Sequence, residues 1–95
     1  MPTKCFVISP EASTGNYIQF ANINGRCRVL YHGNGSEIRF VTDVESPAEA
    51  LASQNANRFN IIGTASAPID LTLNPAKTYV RSNGTAFTGY AMITW

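Results

Sequence analysis

The dipeptide Asn-Gly occurs three times in this 95-residue chain, as Asn24-Gly25, Asn34-Gly35 and Asn83-Gly84, each time between stretches in which apolar and polar residues alternate. Alternation with period two marks a strand with one buried face. Asn-Gly between two such stretches is a strong hairpin signal. A two-residue type I′ turn needs positive φ at both central positions, and these residues reach it at least cost. Such a turn also fixes which residues face each other. With Asn24-Gly25 at the tip, Phe20 opposes Val29 and Ile18 opposes Tyr31; with Asn34-Gly35 at the tip, Tyr31 opposes Ile38 and Val29 opposes Phe40. Both turns place these apolar side chains on one face of a three-stranded meander. Gln19, Arg28, His32, Glu37 and Arg39 fall on the other. The third turn sets Val80 against Phe87 and gives Phe87, Ala91, Ile93 and Trp95 a shared face, interrupted at Gly89, where a bulge is expected.

Further strands are expected at residues 4–8, 59–62, 69–73 and 77–81, beside meander strands at 16–23, 26–32 and 37–42. Ser46-Pro47-Ala48-Glu49 has capping-box spacing with proline at the first helical position. A short helix near residues 46–54 follows from it, with a structured loop as the alternative. Strand signals every 8–12 residues point to an all-β fold: a small antiparallel β-sandwich or jelly-roll-like barrel of about seven or eight strands. At this length, residues 1–95 are expected to form a single domain.

Chemistry is harder to find. Charged residues make up 14% of the chain and the net charge is +1, against about 25% charged residues in ordinary globular proteins. So weak a field gives nucleic acid or an anionic membrane little to hold, and neither is expected as a partner. Apolar runs are a few residues long, too short for a signal peptide or a transmembrane helix. Cys5 and Cys27 are therefore expected as reduced thiols inside a cell, Cys27 buried in its strand, with a Cys5–Cys27 disulfide as the lesser alternative. The single histidine, His32, is placed opposite Glu37 and Tyr17 with no nucleophile beside it. Asp43, Glu45 and Glu49 lack the regular ligand spacing of a calcium loop, and helix capping accounts for them better. No catalytic set, metal site or cofactor site is expected, and the chain is read as not an enzyme.

Arg26, Arg28 and Arg39 are expected to share the polar face of the meander with His32, as a solvated or subunit-facing surface. Trp95 ends the final strand pattern, which suggests a docked C-terminus, either capping its own core or inserted into a neighbour. Aromatic and arginine side chains are common anchors at subunit contacts. The candidate subunit-interface residues are accordingly Tyr79, Tyr90, Trp95, Arg28 and Arg39.

The run Arg28-Val29-Leu30-Tyr31-His32-Gly33-Asn34-Gly35-Ser36-Glu37-Ile38-Arg39-Phe40 resembles the central hairpin of small β-sandwich virion proteins of tailed bacteriophages. Ile69-Asp70-Leu71-Thr72-Leu73-Asn74-Pro75, Lys77-Thr78-Tyr79-Val80-Arg81 and the closing Ala91-Met92-Ile93-Thr94 are similar to the later strands of that family. The resemblance implies a head decoration or cement protein, a head-fibre base or a tail-fibre module, often trimeric. It implies a virion location, the host cytoplasm during assembly, and the major capsid protein and copies of itself as partners. Two other functions stay open: a receptor- or glycan-binding module using Tyr17, Tyr79, Tyr90 and Trp95, and a small inhibitor of a host enzyme.

Overall fold

The computed structural model describes residues 2–8, 17–32, 38–53, 62–63, 69–82 and 89–95. Within them lie eight strands: β1 (Thr3–Ile8), β2 (Ile18–Gln19), β3 (Cys27–His32), β4 (Ile38–Val41), β5 (Ile62–Gly63), β6 (Ile69–Leu73), β7 (Tyr79–Ser82) and β8 (Gly89–Thr94). One helix, α1 (Pro47–Ser53), and a 3₁₀ turn at Pro75–Lys77 complete the elements. The strands make two antiparallel four-stranded sheets, ordered β1-β8-β3-β6 and β2-β7-β4-β5. The fold is all-β, as expected.

Strand order carries a simple rule. β1 pairs with β8, β2 with β7, β3 with β6, and β4 with β5. This is the pairing of one long hairpin bent between β4 and β5. Rolling that hairpin brings β3 beside β8 and β4 beside β7, and both contacts are present. Such a winding is that of a jelly roll.

The expected meander does not form. β2 and β4 lie in one sheet and β3 in the other, so none of the three pairs with another. Each Asn-Gly pair stands in a connection that leads from one sheet to the opposite one: β2 to β3, β3 to β4 and β7 to β8. At Asn24-Gly25 only the glycine takes positive φ, at 118°, so a type I′ turn is not made. Asn34-Gly35, Asn83-Gly84 and Phe87 lie outside the described residues. The inward residues are nevertheless those expected. Phe20, Val29, Tyr31, Ile38 and Phe40 are buried in one cluster, with Ile18 packed against it. They meet across the core instead of along a sheet. Val80, buried in the same cluster, has Ile18 and Phe40 as its strand neighbours.

The expected strand at 16–23 shortens to Ile18–Gln19 because the chain beyond it bonds to another connection. Phe20 N–H donates to Thr78 O (2.8 Å), and Ala76 N–H donates to Ile23 O (3.0 Å). Lys77 falls in the 3₁₀ turn, so its strand begins at Tyr79. The helix starts as its sequence predicts. Ser46 Oγ accepts from Glu49 N–H (3.1 Å), and Glu49 Oε2 accepts from Glu45 N–H (3.0 Å), one residue earlier than in a standard capping box.

No bulge occurs at Gly89, which pairs with Ile8 in an unbroken β1–β8 register. The glycine makes room for a ring: a Cβ there would lie 2.7 Å from Tyr31 Cε1 and Cζ. Tyr31 is 1% exposed, and its hydroxyl finds no hydrogen-bond partner among the described residues. An unmet buried hydroxyl costs about 1–3 kcal/mol, which burial of the ring offsets at a similar magnitude.

Two outcomes test this packing. Gly89→Ala should destabilise the fold by about 1–3 kcal/mol in denaturant titration. Adding Tyr31→Phe should recover part of the loss, since the hydroxyl is the closest atom to the new methyl. Burial also pushes the Tyr31 phenol up from 10.0 to about 12. The fold favours the neutral form, so this contribution to stability is complete below pH 10 and is lost as pH rises through about 12. Between those values, stability of the wild type should fall more steeply with pH than that of Tyr31→Phe.

Candidate functional site

β3 and β8 alternate strictly between buried and outward residues. Strand register lines the outward residues of the β1-β8-β3-β6 sheet into rows. One row runs Thr3, Thr94, Arg28, Thr72; the next runs Cys5, Met92, Leu30, Asp70; the third runs Val7, Tyr90, His32. In the first row the Thr3 and Thr94 hydroxyls lie 3.0 Å apart in a hydrogen bond. The other two rows are mostly apolar. Val7 is 63% exposed, Tyr90 53%, Met92 48% and Leu30 36%. A shallow depression of about 220 Å³ lies among Cys5, Leu30, His32, Tyr90 and Met92.

Charge sits at one corner of this face and is internally matched. Arg28 Nη2 donates to Asp70 Oδ2 at 2.9 Å, and Nε donates to Oδ1 at 3.3 Å. These hydrogen bonds hold the Asp70 carboxyl below its usual range, against a smaller opposing effect of desolvation.

Among the described residues the other sheet presents no such face. On its outer side Tyr17, Val41 and Tyr79 join Val44 and Ala50 in a second buried cluster. Segment 44–50, leading into and through the first turn of α1, thus covers that sheet. Arg81, 5% exposed, donates from Nε to the Tyr17 hydroxyl (3.2 Å) on the same side.

Three of the four sheet edges are blunt. β2 and β5 have two residues each. On β1 the inward position Lys4 carries a charge, its Nζ 5.5 Å from the Phe6 ring centroid. Short strands and inward charges both discourage strand addition. Beside β6 runs an open groove of about 650 Å³ lined by Arg26, Thr42, Asp43, Asp70 and Lys77 among others. Its described lining holds no aromatic residue on which a sugar would stack.

The structure scatters the interface candidates. Arg28 and Tyr90 lie on the apolar sheet face. Trp95, 42% exposed, follows β8 at the margin of that sheet, and its N–H donates to Pro2 O at 3.0 Å. Arg39 is on the outer side of the opposite sheet, as strand neighbour of Arg81. Tyr79 is enclosed at 7% exposure, its hydroxyl donating to Glu45 O at 3.2 Å. Arg28 and His32 share the outward side of β3 as expected, but Arg39 lies on the opposite sheet, so the expected basic patch of Arg26, Arg28, Arg39 and His32 is not assembled as one surface. Sequence reasoning does not single out Leu30, Met92 and Val7. Each is an apolar residue at a position whose strand alternation calls for a polar one, and that mismatch is the signal they carry.

Catalytic and metal-binding sets fare no better. Both cysteines are free. Cys5 is exposed, and Cys27 is buried with its thiol pushed up by desolvation and bonded to Gly25 O (3.3 Å). Tyr17, just before β2, packs with Val41 and Tyr79 of the sheet opposite that of His32, and Glu37 lies outside the described residues. Glu45 pairs with Lys77 at 3.0 Å, while Glu49 Oε2 accepts from Glu45 N–H at the start of α1. Among the described residues no three His, Cys, Asp or Glu side chains gather as a metal site, and no helix is long and apolar enough to cross a membrane. Compared with family models, curated proteins and solved structures, the chain matched none.

The paired corner is directly measurable. In an NMR titration Asp70 should ionise below the ordinary aspartate value, and Arg28→Gln should return it towards that value.

Proposed function

We propose that this chain is a non-enzymatic assembly protein, a structural subunit of a bacteriophage virion of the capsid decoration or cement kind. It docks on neighbouring virion subunits through the outer face of the β1-β8-β3-β6 sheet. One observation carries the reading: Val7, Leu30, Tyr90 and Met92 stand exposed together on one sheet, while the chain covers the other with its own helix. The winding adds support by analogy, since viral capsid domains use the jelly roll.

Size and charge favour a lattice partner. Two mostly apolar rows about 7 Å apart, across strands about 4.8 Å apart, give a patch of roughly 250 Å² in projection. A stable pairwise interface needs about 800 Å² per partner. A patch of this size binds weakly alone and strongly when repeated, because contacts on a symmetric particle multiply. The matched Arg28–Asp70 pair leaves no excess charge on the face. The proposed partners are copies of the chain in a trimer and the major capsid protein, with assembly in the host cytoplasm.

Sedimentation of the purified chain, alone and with particles of the phage that encodes it, tests the proposal. The expected results are a trimer mass and co-sedimentation. Leu30→Glu and Met92→Glu should each keep the circular dichroism of the wild type and weaken particle binding by roughly tenfold or more. A strictly monomeric chain that binds no particle would overturn the reading, as would variants that bind like the wild type. In that case capture of a single host enzyme would favour an inhibitor.

A further inference from the structure

Asn24-Gly25 does not make the turn its sequence suggests, and its surroundings assign it a different property. Asn-Gly is the dipeptide most open to spontaneous deamidation, because glycine leaves the following backbone nitrogen free to approach the asparagine side chain. The Gly25 nitrogen attacks Asn24 Cγ, a new C–N bond forms, and the Cγ–Nδ2 bond breaks with loss of ammonia. The proton on the Gly25 nitrogen passes to solvent, and solvent delivers one to Nδ2 so that it leaves as ammonia. Water then opens the cyclic imide on either side, giving aspartate or isoaspartate. No oxidation or reduction is involved, and water is the only co-reactant.

Asn24 and Gly25 are both exposed, so solvent reaches them. Yet both reacting groups are held by one side chain from the β6–β7 connection. Gly25 N–H donates to Asn74 Oδ1 at 3.1 Å. Asn74 Nδ2 donates to Asn24 Oδ1 at 3.0 Å. The clamp is itself anchored: Asn74 Oδ1 also accepts from Ala76 N–H (3.2 Å), and Asn74 O accepts from the Thr78 hydroxyl (2.7 Å). On the far side Gly25 O accepts from the Cys27 thiol.

We infer that Asn24 is a latent deamidation and isoaspartate site that Asn74 keeps silent in the folded protein. The attacking nitrogen is bonded through its hydrogen to one atom of the Asn74 carboxamide. The carboxamide under attack is bonded to the other. Neither group can rotate towards its partner until Asn74 lets go. The need to release two hydrogen bonds of ordinary net strength slows the reaction by roughly ten- to a hundredfold. Asn74 is a positioning residue in this scheme, and the loop reports its own opening as a covalent change.

Peptide mapping by mass spectrometry during incubation in mildly alkaline buffer tests the inference. In the intact protein Asn24 should deamidate roughly ten- to a hundredfold more slowly than in a synthetic peptide spanning residues 21–28. Asn74→Ala should bring Asn24 close to the peptide rate. Asn74→Asp keeps an oxygen for Gly25 N–H but loses the donor to Asn24 Oδ1, and should retain part of the protection. Near-ultraviolet circular dichroism of each variant serves as the control for unfolding. If Asn74→Ala speeds Asn24 and keeps the wild-type spectrum, local release of the clamp is supported. If the spectrum is lost, the variant has unfolded and Asn74→Asp decides: an Asn24 slower than the peptide supports the clamp and one at the peptide rate overturns it. An Asn24 rate in the wild type equal to that of the peptide, or unchanged in Asn74→Ala, also overturns it.

Discussion

Phe40 lies against both Phe20 and Tyr31, with ring centroids 5.3 and 5.4 Å apart, and through these contacts the two sheets are joined. Phe40 belongs to β4 and Tyr31 to β3, so the edge-to-face contact between them crosses the core. Tyr31 then reaches over Gly89, the first residue of β8. A side chain at that glycine would meet the ring. The β3–β8 register therefore accommodates an aromatic contact made on the inner side of the sheet. Because side chains alternate along each strand, the same register sets the outer rows. Met92 stands beside Leu30, and Tyr90 beside His32, because Tyr31 has Ala91 as its strand neighbour. The surface proposed for assembly is thus a consequence of core packing.

The two outer faces differ because the chain has only one covering segment among the described residues. After β4 the backbone turns through Asp43, in the left-handed region at φ 60°, and Val44 and Ala50 come down on Val41, Tyr17 and Tyr79. Burying side chains of this kind contributes about 1.5–3 kcal/mol for each of the larger ones. A carbonyl at Glu45 accepting from Tyr79, and the Glu45–Lys77 pair, tie the segment to the β6–β7 connection. No comparable segment among the described residues lies over the opposite sheet. Its apolar rows keep in water a cost that a partner surface would remove.

Alternation of residue type makes the inward set legible from the sequence. Counting from the turns places Ile18, Val29, Tyr31, Ile38 and Phe40 on one face, and all of them contribute to one core. The capping box at Ser46, the buried thiol of Cys27 and the all-β class are legible for the same reason, each resting on residues close in sequence. Leu30, Met92 and Val7 break the alternation, so the surface proposed for assembly is marked in the sequence as well, by apolar residues at polar positions.

Strand partnership is not legible, and the reason is geometric. Two strands paired within one sheet lie about 4.8 Å apart, and two strands facing across a core lie about 10 Å apart. Both arrangements ask for the same thing of the residues, that one side of each strand be apolar. Period and turn composition thus decided which side chains point inward, while only the tertiary fold decided that β3 meets β2 and β4 across the core and that β3 is flanked by β6 and β8. The destination of Asn24-Gly25 was settled in the same way, by Asn74 arriving from a connection fifty positions later in the chain.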